Sequence, residues 1–169
     1  PGLLVAASSS GWTACGAIGG KQLEMKLFTD KKTFSKAQQY CVQLAGNLST
    51  VQTEVERTCA DSAIATCPAC NPARSYACGR TCRIWVGLEK TTSGWKWLTH
   101  TTSLRTLQVM WRHGEPTDDN HEKCGYQFKE LAGLGNLRCQ NQLSYLCQRY
   151  GPVDGGWSNW TGYGRCSSV

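Results

Sequence analysis

Eleven cysteines in 169 residues constrain this chain more than any other feature. Reducing cytosol does not sustain such a set as disulfides, so the chain reads as a secreted, extracellular protein held partly by cross-links. The total is odd, so at least one cysteine pairs outside the chain, stays free or lacks its partner. Two N-glycosylation sequons, at Asn47 and Asn159, fit the same compartment. The length suits one domain with a real core and a small appendage.

The formal charge of +6 is carried by scattered lysines and arginines rather than by a stripe with interleaved aromatics. A solvated surface explains this better than nucleic-acid binding, so no nucleic-acid partner is expected. Polyanionic glycans or an acidic mineral remain open as partners. No apolar run reaches the length of a membrane span. The opening Pro1-Gly-Leu-Leu-Val-Ala-Ala-Ser resembles the end of a signal peptide, which reads as a chain already processed or incomplete.

Periodicity gives a coarse map. Leu23 to Phe28 alternates as a strand, followed by a Thr-Asp-Lys-Lys turn. Thr33 can cap a helix in which Phe34, Ala37, Cys41 and Leu44 share a face, and Gly46-Asn47 ends it. Ser49-x-x-Gln52 matches a capping box for a second helix with Val51, Val55 and Cys59 stacked. Residues 59–82 lose apolar periodicity and hold five cysteines, so they read as a covalently held, Cys-rich insertion. Strands are expected at 83–88, 95–98, 125–128, 136–138 and 144–147, all antiparallel. Two early helices and short late strands make an α+β, disulfide-rich domain.

Residues 99–123 show no regular element, and connections beyond about 12–15 residues usually carry function. Acidic side chains crowd here, and crowded carboxylates need a cation, basic partners or water. Glu115 and Glu122 could form an acid/base pair, but no nucleophile or oxyanion donor assembles around them. No catalytic residue is therefore expected, and the chain is not read as an enzyme. His113 and His121 read as exposed loop histidines. Trp85 and Trp97 are assigned to packing, with Trp111 left as a contact residue. Cys67, Cys70, Cys78 and Cys82 have a hint of zinc spacing, but disulfides fit the compartment better. Cys15 has no neighbour to pair with and is directed to the insertion.

The order Cys41, Trp85-Val-Gly-Leu88, Gly114-Glu-Pro116, Cys124, Cys139, Cys147 closely resembles the C-type lectin-like domain over about residues 21–149. The resemblance implies two helices flanking small antiparallel sheets, a long loop region, and disulfides Cys41–Cys147 and Cys124–Cys139. In sugar-binding members, a Glu-Pro-Asn segment, a Glu before a framework cysteine and a Trp-Asn-Asp triplet hold calcium and the sugar. Here Glu115 and Glu122 occupy the acidic positions, and Pro116 can supply a cis bond. Thr117 replaces the amide, and Leu134-Gly135-Asn136 replaces the triplet. One ligand is lost, and a carboxylate becomes the neutral Asn136. Asp118 and Asp119 are the residues that could compensate. The metal set implied is Glu115, Glu122 and Asn136, and the ligand-binding set adds Trp111, Thr117, Asp118 and Asp119. Calcium wants six to eight oxygens, so this set points to no cofactor, with calcium as the alternative.

After a linker at 151–156, Trp157-x-x-Trp160-x-x-Tyr163-x-x-Cys166 resembles the start of a thrombospondin type 1 repeat over residues 154–169. Its W-x-x-W spacing also resembles a C-mannosylation signal on Trp157. Residues 157–169 are too short for that repeat, so a longer chain or assembly is expected. The domain map is therefore 1–150, with the insertion at 59–82, then the linker, then 157–169.

The reading is an extracellular recognition and adhesion domain that contacts protein or matrix through residues 99–123. Two alternatives stand beside it: a calcium-dependent glycan binder with a non-standard ligand set, and a structural matrix or filament component.

Overall fold

The structure, a computed structural model, describes residues 11–65, 83–99, 111–128 and 133–151. Expectations for the leader-like residues 1–10, for Cys67, Cys70, Cys78, Cys82, His100, Trp157, Asn159 and Cys166, and for the linker and tail lie outside those residues.

The first described elements are a hairpin of β1 (Thr13–Ile18) and β2 (Lys21–Lys32). Gly19 and Gly20 have φ of 59° and 76°, which the tight turn between Ile18 and Lys21 requires. Periodicity missed β1, although a Gly-Gly pair between short apolar runs is a hairpin signal. The turn expected at Thr29–Lys32 is instead the end of β2, with an irregularity in its pairing between Phe28 and Lys32.

Helix α1 (Phe34–Gln43) follows, burying Phe34, Ala37 and Cys41 as the spacing predicts. Its left-handed terminal residue is Ala45 (φ 57°) rather than glycine. Gly46 serves a different need. A Cβ there would lie 2.3 Å from the Gln148 carbonyl oxygen.

After β3 (Asn47–Leu48), α2 spans Glu54–Ala65. The Ser49-x-x-Gln52 box does not open it. The Glu56 carboxylate accepts the Thr53 N–H (2.9 Å), while the Glu56 N–H donates to the Thr53 hydroxyl (3.2 Å). This is a capping box four residues later. Ser49 is unavailable because its backbone is held in the sheet, donating to Leu146 and accepting from Gly87. Val51 is buried ahead of the helix and Val55 is exposed, so the expected stripe does not form. The helix instead buries Cys59, Ala60, Ala63 and Ile64, which extends regular structure into the first residues read as insertion.

The remaining strands are β4 (Arg83–Thr91), β5 (Gly94–Trp97), β6 (Cys124–Phe128), β7 (Leu134–Leu137) and β8 (Leu143–Gly151). Among the described residues the sheet runs β1-β2-β8-β4-β6-β7, with β3 on β8 and β5 on β4. It is mixed rather than wholly antiparallel, because β4 and β8 run parallel, pairing Ile84 with Ser144 and Trp85 with Tyr145. Residues 84–88 are buried on both faces, as a central strand of this kind requires. Ile84, Val86 and Leu88 join a cluster with Leu23, Met25 and the buried face of α2. Trp85 joins a second cluster with Phe34, Ala37, Cys41 and Tyr145. The helices therefore cover opposite faces of one sheet. Trp85 and Trp97 are both buried, in line with their assignment to packing.

Among the described residues three disulfides tie these layers. Cys41–Cys147 joins α1 to β8, Cys124–Cys139 joins β6 to the segment after β7, and Cys15–Cys59 joins β1 to α2. The partner of Cys15 is thus on a helix.

Candidate functional site

The expected site is built where β6 and β7 pair, Gly125 opposite Asn136 and Tyr126 opposite Gly135. This pairing holds Asn136 against the end of the long loop, whose last acidic residue, Glu122, lies just before β6. The described part of the loop is fixed at residues 111–112 as well. Trp111 bridges Leu134, and the Arg112 N–H donates to the Leu134 carbonyl (3.0 Å). The Glu115 N–H then donates to the Arg112 carbonyl (2.9 Å) around Gly114, which has φ 83°. The Glu115–Pro116 peptide is cis.

These constraints bring Glu115, Thr117, Glu122 and Asn136 into one network. The Thr117 N–H donates to Asn136 Oδ1 (2.7 Å), and its hydroxyl donates to the Glu122 carboxylate (2.5 Å). The Asn136 amide nitrogen faces the Glu122 carbonyl (2.9 Å), the Thr117 carbonyl (3.2 Å) and Thr117 Oγ1 (3.1 Å). The Asn136 N–H reaches Glu115 Oε2 at 3.3 Å. Reversing the amide would set two donors against each other at the Thr117 N–H, so the neighbours determine its orientation. Asn136 is only 2% exposed, which makes this buried bonding a structural tie across the loop.

The other expected residues lie outside the network. Asp118 is exposed. Asp119 accepts the His121 N–H (2.8 Å) and pairs with Arg138 at 3.5 Å. The His121 bond chiefly, helped by the Arg138 charge, holds the Asp119 carboxyl below its ordinary range. The compensation expected from Asp118 and Asp119 is therefore not seen in this geometry. The Trp111 ring meets Trp95 edge-on at 5.0 Å and stays half-buried. His113 and His121 are exposed.

The sequence also missed three contributors: Arg138, Trp95 as the partner of Trp111, and above all Tyr126. A Cβ on Gly135 would lie 2.5 Å from the Tyr126 ring and hydroxyl. Burial, then the Glu115 charge, pushes the Tyr126 phenol up to about 12. The register pairing Tyr126 with Gly135 is the signal that would have revealed it.

In this arrangement the polar groups of the site are turned toward one another rather than toward a shared cation position. Tyr126 fills the space of the triplet's central side chain, and Asn136 turns N–H groups toward the carbonyls of Thr117 and Glu122. The side-chain oxygens here belong to two carboxylates, the Thr117 hydroxyl and the Asn136 amide, and the last two are already engaged in hydrogen bonds within the network. Among the described residues, no three His, Cys, Asp or Glu side chains are grouped to hold a metal ion.

Comparison with known proteins agrees with this architecture. The family model described as the Lectin C-type domain matches residues 30–149. Tetranectin of Mus musculus is 28% identical over 147 residues, covering 80% of this chain and 64% of that protein. The chain thus spans 64% of the length of the curated relatives it matches. Human lithostathine superposes with a TM-score of 0.59 at 21% identity, covering 80% of this chain and 92% of that one. The human scavenger receptor C-type lectin carbohydrate-recognition domain gives 0.61 at 18% identity, covering 85% and 99%. Among the described residues no helix is long and apolar enough to cross a membrane.

Proposed function

The chain belongs to the C-type lectin domain family, and from that membership we propose that it is an extracellular, non-enzymatic recognition module whose loop binds protein or matrix ligands without calcium. The observation that carries this reading is the Asn136 amide, which ties Thr117 and Glu122 together with the loop's own atoms. Where a calcium-dependent member needs a cation to hold its acidic loop, this loop is held by a buried side chain. Its surface is then free to contact a ligand through Asp118, the pair of Trp95 and Trp111, and exposed Arg112 and His113. Secretion is supported by the disulfides, which an oxidising compartment sustains.

The convergence of Glu115, Thr117 and Glu122 favours one second reading, a calcium-dependent glycan binder with a reduced ligand set. Thermal melting with added calcium separates the two, since a ligand of the folded state raises the melting temperature. The expected result is no shift at about millimolar calcium, the range of weak extracellular sites. A rise abolished by Glu115→Gln would overturn the proposal and favour the glycan reader.

A further inference from the structure

A basic depression lies on elements other than those that hold the loop. The end of β2, the outer face of α1 and Gln142, just before β8, line an open depression of about 390 Å³. Lys31, Lys32 and Lys36 line it together with Gln39, Gln43 and Gln142, and Thr33 and Tyr40 complete the wall. Lys32 is partly neutralised by Asp30 and lies over the rings of Tyr40 and Tyr145. Lys31 and Lys36 are exposed, and among the described residues neither has an acidic partner. The first turn of α1 contains no acid, and Thr33 makes no side-chain capping bond. The helix start therefore adds its partial positive charge to that of the ammonium groups.

We propose that this depression binds a sulfated polysaccharide. The chemistry of the wall selects that occupant. Ammonium groups recognise sulfate as point charges without needing the planar fork of arginine. Between and beside them stand three glutamine amides, a threonine and a tyrosine hydroxyl, which both donate and accept hydrogen bonds. Such alternation matches a chain that presents ionised sulfates interleaved with neutral hydroxyls. The lining is too polar for an apolar peptide side chain. The oxidising compartment implied by the disulfides makes extracellular polysaccharide, rather than nucleic acid, the polyanion at hand.

The test is calorimetric titration of the full chain with a heparin-derived oligosaccharide, in parallel with hyaluronan, which carries carboxylates but no sulfate. The Lys31→Gln/Lys36→Gln variant is compared with Lys21→Gln/Lys96→Gln, which removes the same charge from exposed positions elsewhere. Screened contacts of this kind predict about a tenfold loss for the first variant, less than about threefold for the second, and weakening with added salt. Circular dichroism confirms that each variant is folded, and Lys31→Arg/Lys36→Arg, which keeps the charge, is expected to retain binding. Equal losses in the two Gln variants would assign the binding to net charge and overturn the proposal. Equal affinity for hyaluronan, or no binding of the heparin oligosaccharide, would overturn it too.

Discussion

At the scale of single residues, Asn136 decides what the loop is. Its side chain presents one oxygen to an N–H and its nitrogen to two carbonyls, an arrangement a carboxylate cannot reproduce. Asn136→Asp would set a carboxylate oxygen about where the nitrogen now lies, 2.9 Å from the Glu122 carbonyl oxygen. Leaving these buried partners unsatisfied predicts a loss of about 1–3 kcal/mol in urea unfolding at neutral pH. The loss should shrink in acid, where a protonated Asp regains one donor. An unchanged midpoint would show that Asn136 does not hold the loop. Motif order was enough to locate Glu115, Thr117, Glu122 and Asn136. It could not show that the amide turns inward, because that depends on Thr117 and Glu122 being brought to it by β6 and β7. Nor could it show Tyr126 filling the space beside Gly135, which arises across a strand pair rather than along the chain.

At the scale of elements, α2 shows how a local pattern loses to the sheet. Two capping boxes were available, and the backbone of Ser49 was already committed to Leu146 and Gly87. The helix therefore starts at the next one, where buried Glu56 also accepts the Thr50 hydroxyl and the Gln52 N–H. Glu56→Ala removes the acceptor shared by the Thr50 hydroxyl and the Gln52 and Thr53 N–H groups. It should cost about 2–3 kcal/mol, the sum of a cap and an unmade buried bond. Ser49→Ala should stay within about 1 kcal/mol, because the Ser49 hydroxyl is buried without a partner among the described residues. Chemical denaturation of both variants checks the pair, and the reverse ranking would return the cap to Ser49. Strong periodicity made α1 legible for the opposite reason. Its buried face needed no information from elsewhere in the chain.

At the scale of the whole molecule, cross-links and strand order matter most. The Cys41–Cys147 bond spans 106 residues and Cys124–Cys139 spans 15. Loop-closure entropy then predicts that Cys41→Ala/Cys147→Ala costs about 4–5 kcal/mol, against about 3 for Cys124→Ala/Cys139→Ala. Equilibrium unfolding of the two double variants tests this, and a larger loss from the shorter loop would refute it. The order of cysteines and short motifs made the family legible before any element was placed. The parallel contact of β4 with β8 was not, because nothing in either strand records the direction of its neighbour. The same cross-links have a mechanical consequence. β1 pairs with β2 and β2 with β8, so tension applied between Thr13 and Gly151 would peel the outer strands apart. Cys15–Cys59 and Cys41–Cys147 intercept that pull and divert it through the short stretch between Cys41 and Cys59. The strands β4 to β7, including the loop tied by Asn136, lie off that path and stay slack while the protein is stretched.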